Sequence, residues 1–276
     1  MDDSLYIFVT SERPDQYLNS IAHCLIRDGL RHVVFVNIRG FAKDTFNPAA
    51  TEKGISLAAL RNVILLLDSL SSGFYRFFIG DRAGESVDLK QFYSESELGA
   101  LKSIYKQILD ASSKWEHQDI HYSELRNALA QISTGKNSSR FDVTAVRKTF
   151  LGDLVACCLL EGIKGLYTFD LKIRPNFDDP WKMLFHKLNM DKYEDSLYQY
   201  TNIVKTPIFE ACSKSVLIKS TSIKAVLFVA IILLIALIVL NFFFKQLNWL
   251  VEAAFITSAL ASIISLWLIF FPPKGR

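Results

Sequence analysis

The sequence predicts an α/β domain built on a parallel sheet, followed by a C-terminal pair of membrane-spanning helices. Three observations predict it. The first 40 residues read strand, helix, strand. The same order returns between residues 141 and 172. The last fifty residues hold two long apolar runs almost free of charge. Hydrophobic residues make up 50% of the chain, high for a water-soluble protein, and they concentrate at the C-terminus.

Residues 4–11, SLYIFVTS, form an apolar run ending in hydroxyls, as a buried strand does. In residues 15–28, Tyr17, Leu18, Ile21, Cys24 and Leu25 recur at helical spacing, and Gly29 stands where a helix-ending glycine belongs. The β-branched run at 32–40 is a second buried strand. Strand, helix and strand within about 36 residues imply parallel pairing with a right-handed crossover, and hence a Rossmann-like domain. Residues 55–70 read as a long apolar helix broken by Gly73, and 74–79 as a strand. Ser94, with Glu97 three residues on, opens a helix at 94–112 as a capping box. A further helix is expected at 122–132, a polar loop at 133–140, a short strand at 141–144, a helix at 147–161 closed by Gly162, and a strand at 165–172. Asp179-Pro180-Trp181 is a helix start within 177–189. Residues 192–204 are aromatic and ambiguous, and 206–219 read as a strand leading into the C-terminal segment. The α/β domain thus spans residues 1–210.

The first membrane helix is placed at 222–244. Its twenty residues 225–244 carry no charge and Asn241 as their one clearly polar member, enough to cross about 30 Å of hydrocarbon. The second lies at 249–271, with Glu252 close to its start, in reach of the headgroups. Residues 245–248 join them as a tight antiparallel hairpin. Lys214, Lys219 and Lys224 precede the pair and Lys274 and Arg276 follow it, against Lys245 alone in the loop. That asymmetry places both termini in the cytoplasm. In the second span Ala253, Thr257, Ala261 and Ser265 repeat at four-residue spacing. Such a stripe allows close helix packing, either on the first span of the same chain or between copies in a homo-oligomer.

The net charge of +3 and the lack of a Lys/Arg stripe argue against a nucleic-acid-binding surface. Cys24, Cys157, Cys158 and Cys212 show no metal or disulfide spacing and read as small core hydrophobes of a reducing compartment. No P-loop, dinucleotide, zinc-protease or nucleophile-elbow motif occurs. His117 and His121, with Asp119 between them, share a face if that segment is helical. The chain is therefore expected to be no enzyme and to need neither cofactor nor metal.

Ligands of open α/β sheets bind at the carboxyl ends of the strands. Three such ends carry suitable groups: Thr10 and Ser11, Asn37 and Arg39, and the stretch with Asp142, Thr144, Arg147 and Lys148. In the last, two cations open a helix whose free N–H groups favour an anion. Thr144 serves equally as a helix cap there, and Asp142 as a partner for Arg147 or Lys148. The run Asp142-Val143-Thr144, with Lys148 four residues on, followed by an apolar helix and the strand at 166–171, resembles the last βαβ unit of CARF-type sensor domains; Ile7 to Ser11 resembles their first strand. Ala145, Val146 and Arg147 stand where many such domains carry glycine. The resemblance covers about 60 residues. It implies a domain that binds a cyclic oligonucleotide. Joined to a two-helix hairpin, the layout is similar to two-transmembrane effectors of bacterial anti-phage systems, those of retrons above all. That likeness implies an antiviral, abortive-infection effector acting on the lipid bilayer. Its control would lie with a regulatory partner, either a reverse transcriptase–nucleic acid complex or a cyclic oligonucleotide. A membrane-tethered binding module is the alternative.

Overall fold

A computed structural model describes residues 4–40, 54–133, 139–189 and 192–212, together with Phe228, Ile232 and Ser258 singly. The chain divides into two compact units, Met1–Glu210 and Ala211–Arg276. The first is organised by a six-stranded sheet in the order β5-β2-β1-β6-β7-β8, built from β1 Ser4–Phe8, β2 His32–Arg39, β5 Glu116–His121, β6 Arg140–Asp142, β7 Leu166–Leu171 and β8 Tyr198–Asn202. The first five strands of that order run parallel, and β8 pairs antiparallel with β7. The expected Rossmann-like α/β architecture is present, with one reversed strand at the edge.

Side-chain alternation sorts this sheet between two cores. Leu5, Ile7, Val9, Val33 and Phe35 face a layer formed by α1 (Asp15–Ile26), α2 (Ile55–Ser72) and α3 (Glu95–Ala111). Phe8, Val34, Val36, Ile38, Phe141 and Val143 face α4 (Leu125–Ser133) and α5 (Lys148–Glu161) on the other side. Because successive strand residues point to opposite faces, only a run apolar at every position fits between two helical layers. In β2 the six residues from Val33 to Ile38 are all buried.

Several helix ends follow the sequence. Gly162, at φ 66°, closes α5, and Gly73, at φ 94°, closes α2. Ser94 and Glu97 form the capping box of α3: the Glu97 carboxylate accepts from the Ser94 N–H at 3.0 Å.

Other elements differ from expectation. Residues 74–79 do not join the main sheet. β3 (Phe74–Arg76) pairs antiparallel with β4 (Ser86–Asp88) in a separate two-stranded ribbon, since β5 already occupies the place beside β2. The segment with His117 and His121 is strand β5, so the two histidines share a strand face and not a helix face. The Pro180 start yields a 3₁₀ turn, Pro180–Met183, and the four-residue α6, Phe185–Leu188, instead of one helix over 177–189. Residues 207–212 are helical, not extended.

Among the described residues, α2 is the one helix long and apolar enough to cross a membrane. Ile55, Ala59, Val63, Leu66, Leu67 and Leu70 on it are buried against the sheet layer, which accounts for its apolar character without a bilayer. The two predicted spans, their hairpin loop, and Ala253, Thr257, Ala261 and Ser265 lie outside the described residues.

Candidate functional site

In this strand order the switch point falls between β1 and β6, whose connections leave in opposite directions, and the crevice above it is the place a ligand would enter. The loops after both strands carry the expected residues, yet the protein's own groups fill the crevice. The Tyr17 ring is buried in the core, edge-on to Phe35. Its hydroxyl rises into the β1–α1 loop, accepting from the N–H groups of Thr10 (3.2 Å) and Ser11 (3.1 Å) and donating to the Ser11 carbonyl (2.8 Å). Backbone N–H groups at this turn are the ones that cradle phosphate in dinucleotide-binding folds. Here a phenol oxygen takes that position. The Ser11 hydroxyl donates to Gln16 Oε1 at 2.8 Å, and Asn62 on α2 donates to the Glu12 carbonyl at 2.9 Å, so the loop is held from two helices.

Across the switch point the Thr10 hydroxyl donates to the Ala145 carbonyl at 2.7 Å and draws the β1 and β6 loops together. The space left, lined by Phe8, Val9, Thr10, Asn37, Val146 and Phe150, is about 10 Å³, room for one water molecule.

Asp142 ends β6 and is 1% exposed. One carboxyl oxygen accepts from the Thr144 N–H at 3.0 Å, and the Thr144 hydroxyl accepts from the Phe169 N–H at 2.8 Å. Thr144 thus ties the loop to β7 instead of capping α5, whose N-cap is Arg147 without a side-chain cap. The second Asp142 oxygen has no hydrogen-bond partner, nor does the buried Ser20 hydroxyl. Burial raises the Asp142 carboxyl, and the Thr144 N–H acts against it. A buried carboxylate with one oxygen unsatisfied costs stability. Asp142→Asn keeps the acceptor for Thr144 and removes the charge. It is expected to raise the melting temperature at pH 7, by about 1–3 kcal/mol of stability. Because the folded-state pKa lies above the unfolded value of 3.8, the gain should fade as pH falls toward that value. Thermal melts of both proteins between pH 7 and 4 check it; an unchanged or lower melting temperature at pH 7 would refute the assignment.

Behind Asp142 lies a polar group enclosed by α1, β7 and β8. His23 Nδ1 meets the Tyr198 hydroxyl at 2.8 Å, and the Cys24 thiol donates to the Tyr200 hydroxyl at 3.6 Å. Burial lowers His23 to about 4 and raises Cys24 to about 12, so the group is held neutral near pH 7.

The second predicted end holds together around a residue the sequence reading did not select. Asp119 on β5 accepts from Arg39 at 3.0 Å, from the Ser56 hydroxyl at 3.1 Å and from the Asn37 amide at 3.3 Å. Asn37 and Asp119 are direct partners in the β2–β5 register. Of the predicted ligand groups, Lys148 is exposed beside the open N-terminus of α5, in the position that favours an anion. Among the described residues no three His, Cys, Asp or Glu side chains gather into a metal-binding group.

Comparison of the chain with protein families, with curated proteins and with solved structures finds no match.

Proposed function

We propose that this protein is an effector of the bacterial inner membrane. Its α/β domain senses a signal in the cytoplasm, and its C-terminal hairpin disrupts the bilayer when released, as an abortive-infection device against phage. The observation that carries the reading is the pair of long apolar runs within the unit Ala211–Arg276, the first uncharged and the second with Glu252 as its one charge. Phe228 and Ile232 support it. Both are helical and expose 65% and 50% of their surface. Large exposed apolar side chains are costly in water and comfortable in lipid.

The filled crevice bears on the trigger. A cyclic oligonucleotide would have to displace the Tyr17 hydroxyl and part Thr10 from Ala145. A regulatory partner of the same defence system, such as a reverse transcriptase–nucleic acid complex, can act on the outside of the domain. We therefore favour the macromolecular partner.

Expressed alone in a bacterial host, the full chain is expected to collapse the membrane potential within minutes, read with a voltage-sensitive dye. Ala261→Leu with Ser265→Leu should restore much of the potential by blocking close helix packing. A chain in which residues 222–276 are exchanged for an unrelated two-span anchor should leave the potential intact. Depolarisation by the anchor-exchanged chain would exclude the hairpin as the acting part. Equal depolarisation by the double mutant would exclude the packing stripe.

A further inference from the structure

The carboxyl edge of the sheet is occupied by the protein's own groups, and a second opening lies at the amino edge. Helices α1 and α3 run against the parallel strands and end there, and between their last turns lies a cleft of about 560 Å³. That is within the ~300–1,000 Å³ typical of small-molecule sites. Its floor is apolar: Leu30 and Ile108 belong to the core, and the partly exposed Ile26 and Ala111 form the walls. Its rim carries Arg31 and Lys114, both exposed.

Arg31 and Lys114 are what set this cleft apart. The other rim charge, Asp110, is paired with Lys106 at 3.2 Å. Among the described residues, Arg31 and Lys114 have no ion pair or side-chain hydrogen bond. Cations near helix C-termini offset the partial negative charge of the last carbonyls. That role requires neither a cavity nor an apolar floor beneath the charges. A guanidinium and an ammonium left open above an apolar floor match a molecule with a flat apolar body and one anionic group. The indole of Trp115, next to Lys114, is buried with its N–H unpaired.

We propose that the cleft between the C-terminal ends of α1 and α3 binds a small amphiphilic anion. An aromatic or branched apolar body rests on Ile26, Leu30 and Ala111, and a single phosphate, carboxylate or sulfonate is held by Arg31 and Lys114. The site is independent of the hairpin and of the membrane reading.

The test uses the full chain in lipid nanodiscs and isothermal titration with naphthalene-2-sulfonate, empty nanodiscs serving as the blank. The probe's cationic twin, naphthalen-2-ylmethylammonium, has the same ring and the opposite charge. One saturable site is expected for the sulfonate and none for the ammonium. Arg31→Gln and Lys114→Gln should each weaken sulfonate binding about tenfold or more, and Ala111→Trp, which fills the cleft, should abolish it. Lys114 is exposed and outside any α-helix, so its variant keeps the test readable if the tryptophan variant does not fold. Absence of a saturable site, equal binding of the two probes, or full affinity in both glutamine variants would overturn the proposal.

Discussion

Acidification from pH 7 to 4.5 is expected to destabilise the α/β unit steeply, through two buried histidines. The His186 ring lies between two phenols, its Nδ1 3.0 Å from the Tyr105 hydroxyl and its Nε2 3.0 Å from that of Tyr93. Burial lowers it to about 3, helped by the Lys187 charge and opposed by Glu97. His23 is lowered to about 4, first by burial and then by Arg140 and Arg27, against Asp28. Each group therefore takes up its proton more readily in the unfolded chain than in the folded one. Below the unfolded value of 6.5 the unfolded state binds more protons, and stability falls with pH until the folded values are reached. The slope is at most about 1.4 kcal/mol per pH unit for each histidine. Over two units that is several kcal/mol, a large share of the ~5–15 kcal/mol that holds a domain together. Asp142 works in the opposite sense, since its raised carboxyl is relieved by protonation. Urea titrations at several pH values measure the sum. His186→Gln, which cannot titrate, should be less stable at pH 7 but flatter between pH 6.5 and 4.5. An identical slope in that variant would remove His186 from the account.

Tyr17→Phe carries the second large effect. Deleting one oxygen leaves the N–H groups of Thr10 and Ser11 and the Ser11 carbonyl without their partner, in a part-buried loop. An abandoned buried donor costs about 1–3 kcal/mol, so a loss of about 3 kcal/mol is expected. The vacated position is lined by two N–H donors next to the start of a helix, a place that accepts an anion. Millimolar inorganic phosphate should therefore recover part of the lost stability in Tyr17→Phe and leave the wild type unchanged. If phosphate shifts both proteins alike, the Tyr17 hydroxyl does not occupy an anion-binding position.

The elements legible in the sequence were those whose burial is written in their own residues. β1 and β2 show the apolar runs that burial between two helical layers demands, α1 and α2 show the apolar spacing of one buried face, α5 reads as an apolar helix, and Ser94, Glu97 and Gly162 mark helix ends through local chemistry. β5 was missed because it is an edge strand with Ile120 as its one buried residue, so EHQDIH shows no apolar alternation. β8 was ambiguous because Tyr198 and Tyr200 reflect stacking on Phe169 and Tyr167 more than a strand period. The candidate site was legible by position only. Thr10, Asn37, Arg39, Asp142 and Thr144 do stand at the carboxyl edge. What engages them comes from elsewhere in the chain: the hydroxyl of Tyr17, read in the sequence as one more apolar helix position, and the carboxylate of Asp119, some eighty residues from its partners on β2. The Asp119 pairing exists only once β5 lies beside β2, and the Tyr17 pairing only once the β1–α1 loop folds back on its helix.

The reversal of β8 has a consequence for wiring. Five parallel strands would have delivered the end of the sheet to the edge where Thr10 and Asp142 stand. The sixth, running backwards, turns the chain back alongside β7. Asn202 lies across from Tyr167, near the start of β7, and its amide donates to the Lys164 carbonyl at 2.9 Å. The register Asp142–Tyr167–Asn202 sets the end of β8 level with Asp142, two strands away from it. Thr144 holds the Phe169 N–H, two residues along β7 from Tyr167, so β8 ends close to that contact. Across the β7–β8 pair Phe169 stacks on Tyr198 and Tyr167 on Tyr200.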